Sequence, residues 1–363
     1  MRIAFVQTYP IYHDHWTTDQ WLALENRDRW MPGIAASLGH TVELWGVDRA
    51  ASVHTSRLEG FGDYTIRLFA ASGGGKRTKF QYSDALVAFA ADFKPDLCVL
   101  KGVDGGAGVR LLTKYLIPTG TPYVFVIGGK YYTRYVPSAA LVFFETEIQR
   151  RLLADPGRRF WRSPVDGDKL VLLPKSIDTD RFVPLPAVKK EWDVISVTRL
   201  ESYYKKYAFD ALGKLSERLR VAVVGSGPAE AELRARYPKI SWLGKIPNRE
   251  LAPVLNKGRL FFHAGLREFF PRVLAEAAAC GLPRAAFASV ISPEVIPADT
   301  GLLLDRDDFV EPIIDLISDE TRLRDIGLQG RRYALDSLTK YSSREPLLKM
   351  LERLGEPLAV SNE

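Results

Sequence analysis

Cysteine is almost absent from this chain of 363 residues: there are two, Cys98 in Asp96-Leu-Cys-Val-Leu100 and Cys280 in an alanine-rich stretch. Both settings are apolar, where cysteine acts as a small hydrophobe, so neither a disulfide framework nor a zinc site is expected. Long hydrophobic runs are missing too. No apolar stretch reaches the length that a bilayer-crossing helix needs, and the opening Met1-Arg-Ile-Ala-Phe-Val reads as a strand, not as a signal peptide. A cytoplasmic protein is the expectation. A basic arm is also lacking, since the excess of 50 Lys and Arg over 44 Asp and Glu, net +6 with pI near 9.1, is scattered along the chain. Scattered positive charge argues against nucleic acid and leaves a nucleoside diphosphate or an anionic lipid surface as the anionic partner. Peripheral contact at the inner face of a membrane is part of that expectation. Internal repeats and low-complexity tracts do not occur.

What is present is a succession of short apolar runs and helical patterns over a length suited to two domains, with 46% hydrophobic residues to fill both. Met1–Gln7 predicts a strand leading into the loop Thr8-Tyr-Pro-Ile-Tyr-His-Asp-His-Trp16. Its position at a strand's carboxyl end, where α/β sheets place ligands, makes His13 and Asp14 acceptor-side candidates, with a packed surface loop as the plainer reading. Two histidines and one aspartate supply too few ligands for a metal. A helix is predicted over Trp30–Leu38, a strand over Thr41–Trp45, a helix over Phe80–Phe93 and a strand over Leu97–Leu100. The run Ala71-Ser-Gly-Gly-Gly-Lys-Arg-Thr-Lys79 lacks the first glycine of a Walker A loop and reads as a mobile loop. The glycine-rich Lys101–Gly108, and Gly128-Gly129-Lys130 after the strand Tyr123–Ile127, join the first loop at strand carboxyl ends. These three loops are expected to face one crevice, with Lys130 as a further acceptor-side candidate.

The stretch around which the later half is organised is Glu268-Phe-Phe-Pro-Arg-Val-Leu-Ala-Glu276, followed by Ala277-Ala-Ala-Cys-Gly281-Leu-Pro283. Pro271 suits the first helical position and Gly281 with Pro283 a stop, so Glu268 sits in a loop and Glu276 in a short helix. The preceding run Arg259-Leu-Phe-Phe-His263 is a strand. Strand, loop and helix in that order aim the first amides of the helix at an anionic ligand. An exposed Arg272–Glu276 ion pair with a solvated Glu268 is the plainer alternative.

Two glutamates with seven residues between them, the second in a helix closing on Ala-Cys-Gly-x-Pro, resemble the retaining nucleotide-sugar glycosyltransferases of family 4, which have the GT-B fold. The resemblance extends to Arg199 and Lys205 after the strand Trp192–Thr198, to Gly225-Ser-Gly-Pro228 after the strand Leu219–Val224, and to the turn at Ile246. It also takes in Pro174-Lys-Ser-Ile-Asp178 with Phe182-Val-Pro184 as an interdomain linker. It implies two Rossmann-like domains facing a cleft, over residues 1–173 and 174–338, with a last helix in 339–363 crossing back to the first through Leu347, Leu348, Leu351 and Leu354. It implies a metal-independent enzyme with no cofactor, a nucleoside diphosphate sugar as co-substrate and a carbohydrate, lipid-linked or small-molecule hydroxyl as acceptor.

By the same resemblance Glu268 contacts the transferred sugar, and Arg199 and Lys205 clamp the diphosphate. Amides around Phe269, Phe270 and Pro271 approach that diphosphate, Glu276 accepts from the ribose, and Gly225 and Ile246 line the nucleotide. The sequence departs from the family in the glycine-poor first loop and in having no histidine near Gly128. Those departures leave open a basic binding protein on a degenerate GT-B scaffold, and a GT-B nucleotide-sugar epimerase is the alternative within enzymes. Asp305-Arg-Asp307 resembles the metal motif of GT-A enzymes, but its place near the chain's end reads as a loop after a late strand.

Overall fold

Tyr123–Val126 and Leu141–Phe144 are buried at every position, as strands covered on both faces of a parallel sheet must be. They belong to one of two α/β units in the computed structural model, which describes residues 1–14, 16–74, 77–129, 132–155, 157, 162–266 and 268–354. The first unit is Met1–Pro174 with the chain from Lys340 onward; the second is Lys175–Thr339. Both divisions fall one residue beyond the boundaries expected from the sequence.

The first unit holds β1 (Arg2–Gln7), β2 (Thr41–Asp48), β3 (Ser52–Ser56), β4 (Tyr64–Ala70), β5 (Leu97–Lys101), β6 (Tyr123–Val126), β7 (Leu141–Phe144) and β8 (Leu170–Leu172). They form one sheet in the order β3-β4-β2-β1-β5-β6-β7-β8, parallel except for the edge strand β3, which runs antiparallel to β4. Neither β3 nor β4 was anticipated from the sequence. The helix expected over Phe80–Phe93 begins at Asp84, because Ser83 accepts a hydrogen bond from the Leu86 amide and so caps it. The chain returns to this unit in the helix Arg344–Arg353. Its buried face is Leu347, Met350 and Leu351, with Leu354 packed alongside and Leu348 half-exposed, and it shares a core with Ile3, Phe5, Met31 and Ile34. The expected stripe is corrected at Leu348 because residues three and four apart share a helix face, which brings Met350 inward instead.

The second unit holds β9 (Trp192–Val197), β10 (Val221–Val224), β11 (Ser241–Gly244), β12 (Gly258–His263), β13 (Arg284–Phe287) and β14 (Gly301–Leu304). Their order is β11-β10-β9-β12-β13-β14, all parallel. This is the doubly wound arrangement in which the strand order reverses between β9 and β12, and ligands bind outside the carboxyl ends at such a reversal. The helix Val310–Ser318, with Ile313, Leu316 and Ile317 buried, was not anticipated. Among the described residues no helix is long and apolar enough to cross a membrane.

Candidate functional site

At the reversal, β9 and β12 lie side by side, with Leu260 opposite Val194 and Phe261 opposite Ile195. Their carboxyl ends lead into the segments that carry the candidate residues. Arg199 is exposed two residues beyond β9, ahead of the helix Ser202–Ser216. Lys205 falls in the first turn of that helix; its side chain lies outside the described part. Beyond β12 the chain runs through Ala264, Gly265 and Leu266 to Glu268, then enters the helix Arg272–Ala279.

Pro271 is not the first helical residue but the cap before it, with φ −60° and ψ 124°, and its carbonyl accepts the first turn's bond from Leu274. Its ring offers no group to cap the helix, so the leading amides are left to whatever anion approaches them. Phe270 is buried beneath this turn and Phe269 is half-exposed. At the other end Gly281 takes φ +66°, the left-handed conformation that closes a helix and that glycine adopts without strain.

The two glutamates have different settings. Glu268 is half-exposed, and its Oε2 lies 3.7 Å from Nε2 of His263, the buried last residue of β12. Glu276 is only 3% exposed, which removes the reading of it as one end of a surface ion pair. Its Oε1 accepts a 2.9 Å hydrogen bond from Asn248 Nδ2, and Arg181 Nη2 donates to Asn248 Oδ1, also at 2.9 Å. Burial pushes the Glu276 carboxyl above the usual carboxylate range, and the charges of Arg272 and Arg181 and the Asn248 bond oppose that rise. A carboxylate so placed keeps lone pairs for further donors.

Gly225 follows β10 with φ +151°, and a Cβ there would lie 1.8 Å from the Thr198 carbonyl oxygen. Its amide donates to the Gly244 carbonyl at 2.8 Å, so this glycine lets the turns after β9, β10 and β11 close on one another. Ile246 is half-buried in the turn after β11 and leads through Pro247 to Asn248. The structure thus gathers Arg199, Gly225, Ile246, Glu268, Phe269, Phe270, Pro271 and Glu276 on segments at or following the carboxyl ends of four strands in one sheet.

The first unit places its candidates differently. His13 stacks on Tyr9, with ring centroids 5.4 Å apart, in the short turn Ile11–Asp14, and the Tyr9 hydroxyl donates to Asp104. The side chain of Asp14 lies outside the described part, as do His15 and Lys130. The glycine-rich segment 101–108 follows the carboxyl end of β5, and three of its glycines are closely packed. A Cβ at Gly105 would sit 2.0 Å from the Thr8 carbonyl oxygen, one at Gly106 2.5 Å from that of Gln81, and one at Gly108 2.4 Å from Thr8 Cγ2. They are small so that neighbouring backbone, and at Gly108 the Thr8 side chain, can pack against them, and Gly106–Leu111 is itself helical. Gly128 and Gly129 do have open space at the missing Cβ, with the Gly128 carbonyl held by Gln149 Nε2 at 2.6 Å. Among the late residues, Asp305 accepts from the Asp307 amide and so shapes its own turn.

Three contributors went unnoticed in the sequence: His263, Asn248 and Arg181. His263 stands at the end of an apolar run just ahead of the glutamate motif. Asn248 and Arg181 are polar residues in polar surroundings, and no spacing marks them.

Residues 192–319 match the family model described as Glycosyl transferases group 1, so the second unit carries a domain of that kind. Solved structures extend the likeness to nearly the whole chain. HepE of Anabaena in complex with UDP superposes with a TM-score of 0.65 over 97% of this chain and all of that one, at 13% identity. Sucrose-phosphate synthase from Thermosynechococcus elongatus gives 0.69 over 97% and 98%, at 17% identity. The fold is GT-B. Curated relatives match a part of the chain. A phosphatidylinositol N-acetylglucosaminyltransferase component from Arabidopsis thaliana is 29% identical over 172 residues, 43% of this chain and 38% of that protein. A GDP-mannose-dependent alpha-mannosyltransferase of Mycobacterium tuberculosis is 32% identical over 152 residues, 40% of this chain and 37% of that protein. The match thus spans about two fifths of each of these relatives.

Proposed function

We propose that the protein transfers a sugar from a nucleoside diphosphate sugar to a hydroxyl acceptor, with retention of anomeric configuration and without an obligatory metal. The observation that carries this reading is the pair Glu268 and Glu276 flanking an uncapped helix start at the strand-order reversal of the second unit. An anion held by the leading amides would be the diphosphate, with Gly225 and Ile246 toward the nucleoside and amides near Phe269, Phe270 and Pro271 toward the phosphates. Glu276 accepts from ribose hydroxyls, and Glu268 orients the hydroxyls of the transferred sugar.

In the reaction the bond between the anomeric carbon and the diphosphate oxygen breaks while the acceptor oxygen bonds to the same face. The acceptor's proton passes to the departing phosphate oxygen. Arg199 and Lys205 stabilise the charge that grows there, which lowers the barrier more than it tightens ground-state binding. Glu268 favours the positive charge that develops near the anomeric carbon. His13, Asp14 and Lys130 are assigned to the acceptor side, and the acceptor is a carbohydrate or lipid-linked alcohol. The net charge of +6 favours approach to an anionic membrane face at the cytoplasmic side.

Thermal melting in UDP, GDP and ADP tests the donor half of this reading. A ligand at about a hundred times its dissociation constant adds roughly 2.7 kcal/mol, so one nucleotide should raise the melting point clearly above the others. No shift with any of the three would overturn it.

A further inference from the structure

We propose that His263 is a positioning residue for Glu268, setting the height and aim of the carboxylate that faces the transferred sugar; this rests on the reading of Glu268 given above. Two observations support it. The first is the contact itself. His263 is buried at the end of β12, where Leu260, Phe261 and Phe262 are buried apolar residues, yet its ring reaches the half-exposed Glu268, Nε2 to Oε2, at 3.7 Å. That separation is longer than a hydrogen bond, and contacts of this kind shorten when the carboxylate engages a substrate.

The second is the path of the loop. A Cβ on Gly265 would lie 2.7 Å from His263 Nε2 and 2.9 Å from Cε1, closer than side-chain carbons approach other atoms. With glycine at 265 the backbone crosses directly over the imidazole, and any larger residue there would have to displace the ring. The ring therefore underlies the backbone at Gly265, three residues ahead of Glu268. A smaller side chain at 263 would let that backbone sink, and a larger one at 265 would lift it. Either change moves Glu268, whereas the contact of Glu276 with Asn248 is made by side chains from other segments.

Four variants are compared with wild type: His263→Ala, His263→Asn, Gly265→Ala and Glu268→Gln, with the first and third repeated in the Glu268→Gln background. The readouts are release of nucleoside diphosphate from UDP-glucose, UDP-N-acetylglucosamine and GDP-mannose, and calorimetric affinity for UDP and GDP. His263→Ala and Gly265→Ala should each lower kcat by about ten- to a hundredfold, as small misplacements of a reacting group do, with nucleotide affinity unchanged within about twofold. His263→Asn, which keeps a donor, should recover part of the loss. In the Glu268→Gln background neither change should cost more than about twofold, since residues acting through one group are not additive. Equal losses in both backgrounds, or nucleotide affinity falling in step with kcat, would overturn the role of His263. If Glu268→Gln turns over like wild type, the reading of Glu268 falls first and takes this role with it. Gly265→Ala perturbs the same loop from the backbone side and keeps the test decisive should His263→Ala not fold.

Discussion

The side-chain amide of Asn248 donates to Glu276 at 2.9 Å and is held from its other side by Arg181. An almost fully buried carboxylate in the middle of a helix is thereby tied to a polar turn that follows β11 and to the segment that opens the second unit. Burial raises the affinity of Glu276 for a proton in the folded chain. The stability this group contributes is therefore fully present below its unfolded pKa and is lost as pH rises through its raised folded value.

Glu276→Gln removes the ionisation while keeping an oxygen for Asn248. The variant should melt above wild type near pH 8, with the gap closing toward acid pH. It should also lose the stabilisation that a nucleoside diphosphate gives the wild type. Melting curves across pH with and without UDP or GDP check both; a lower melting point at pH 8 would contradict the assignment of burial as the dominant cause.

Glycine has two different uses in the first unit. Gly105→Ala drives a Cβ to within 2.0 Å of the Thr8 carbonyl oxygen and should destabilise by about 1–3 kcal/mol, the usual cost of overpacking, whereas Gly128→Ala adds its methyl to open space. Denaturant unfolding of the two variants distinguishes them, Gly105→Ala shifting the midpoint and Gly128→Ala leaving it near wild type. Equal shifts would show that the glycines of 101–108 do not pack as described.

Arg27 and Glu145 form an ion pair 2.7 Å apart with both side chains only 4% exposed, and Arg27 Nη1 also donates to the Pro174 carbonyl at 3.1 Å. Removing one partner leaves the other charge buried, so Arg27→Ala and Glu145→Ala should each cost about 3–5 kcal/mol. Arg27→Met combined with Glu145→Leu should cost less than either single truncation, because no charge is stranded. Urea titrations of the three variants measure it, and a double variant weaker than both singles would contradict the argument.

Much of this architecture can be read from residue order alone, because parallel strands covered on both faces need uninterrupted apolar runs, as in Leu97–Leu100 and Leu141–Phe144. The edge strand β3 escapes notice for the same reason: Ser52-Val-His-Thr-Ser56 is mostly polar and half-exposed, and only pairing with β4 makes it a strand. The glutamate motif and its helix are legible because Pro271 and Gly281 punctuate both ends, although the cap position shifts Pro271 by one residue. What spacing does not carry is which polar groups touch. Nothing in Arg181, Asn248 and Glu276 as letters joins residues so far apart in the chain, and His263 looks like the end of a core strand until the loop is seen to cross it. Glycine runs are ambiguous too, since a missing side chain admits a ligand or a neighbouring backbone equally well.

Sugar transfer is tested most directly by incubating the protein with UDP-glucose, UDP-N-acetylglucosamine and GDP-mannose and following the release of nucleoside diphosphate. The wild type should turn over one of these donors slowly even without an acceptor. Glu268→Ala and Lys205→Ala should each cut that rate by about a hundredfold or more while melting close to wild type. Release from none of the donors, or both variants working at the wild-type rate, would contradict the account.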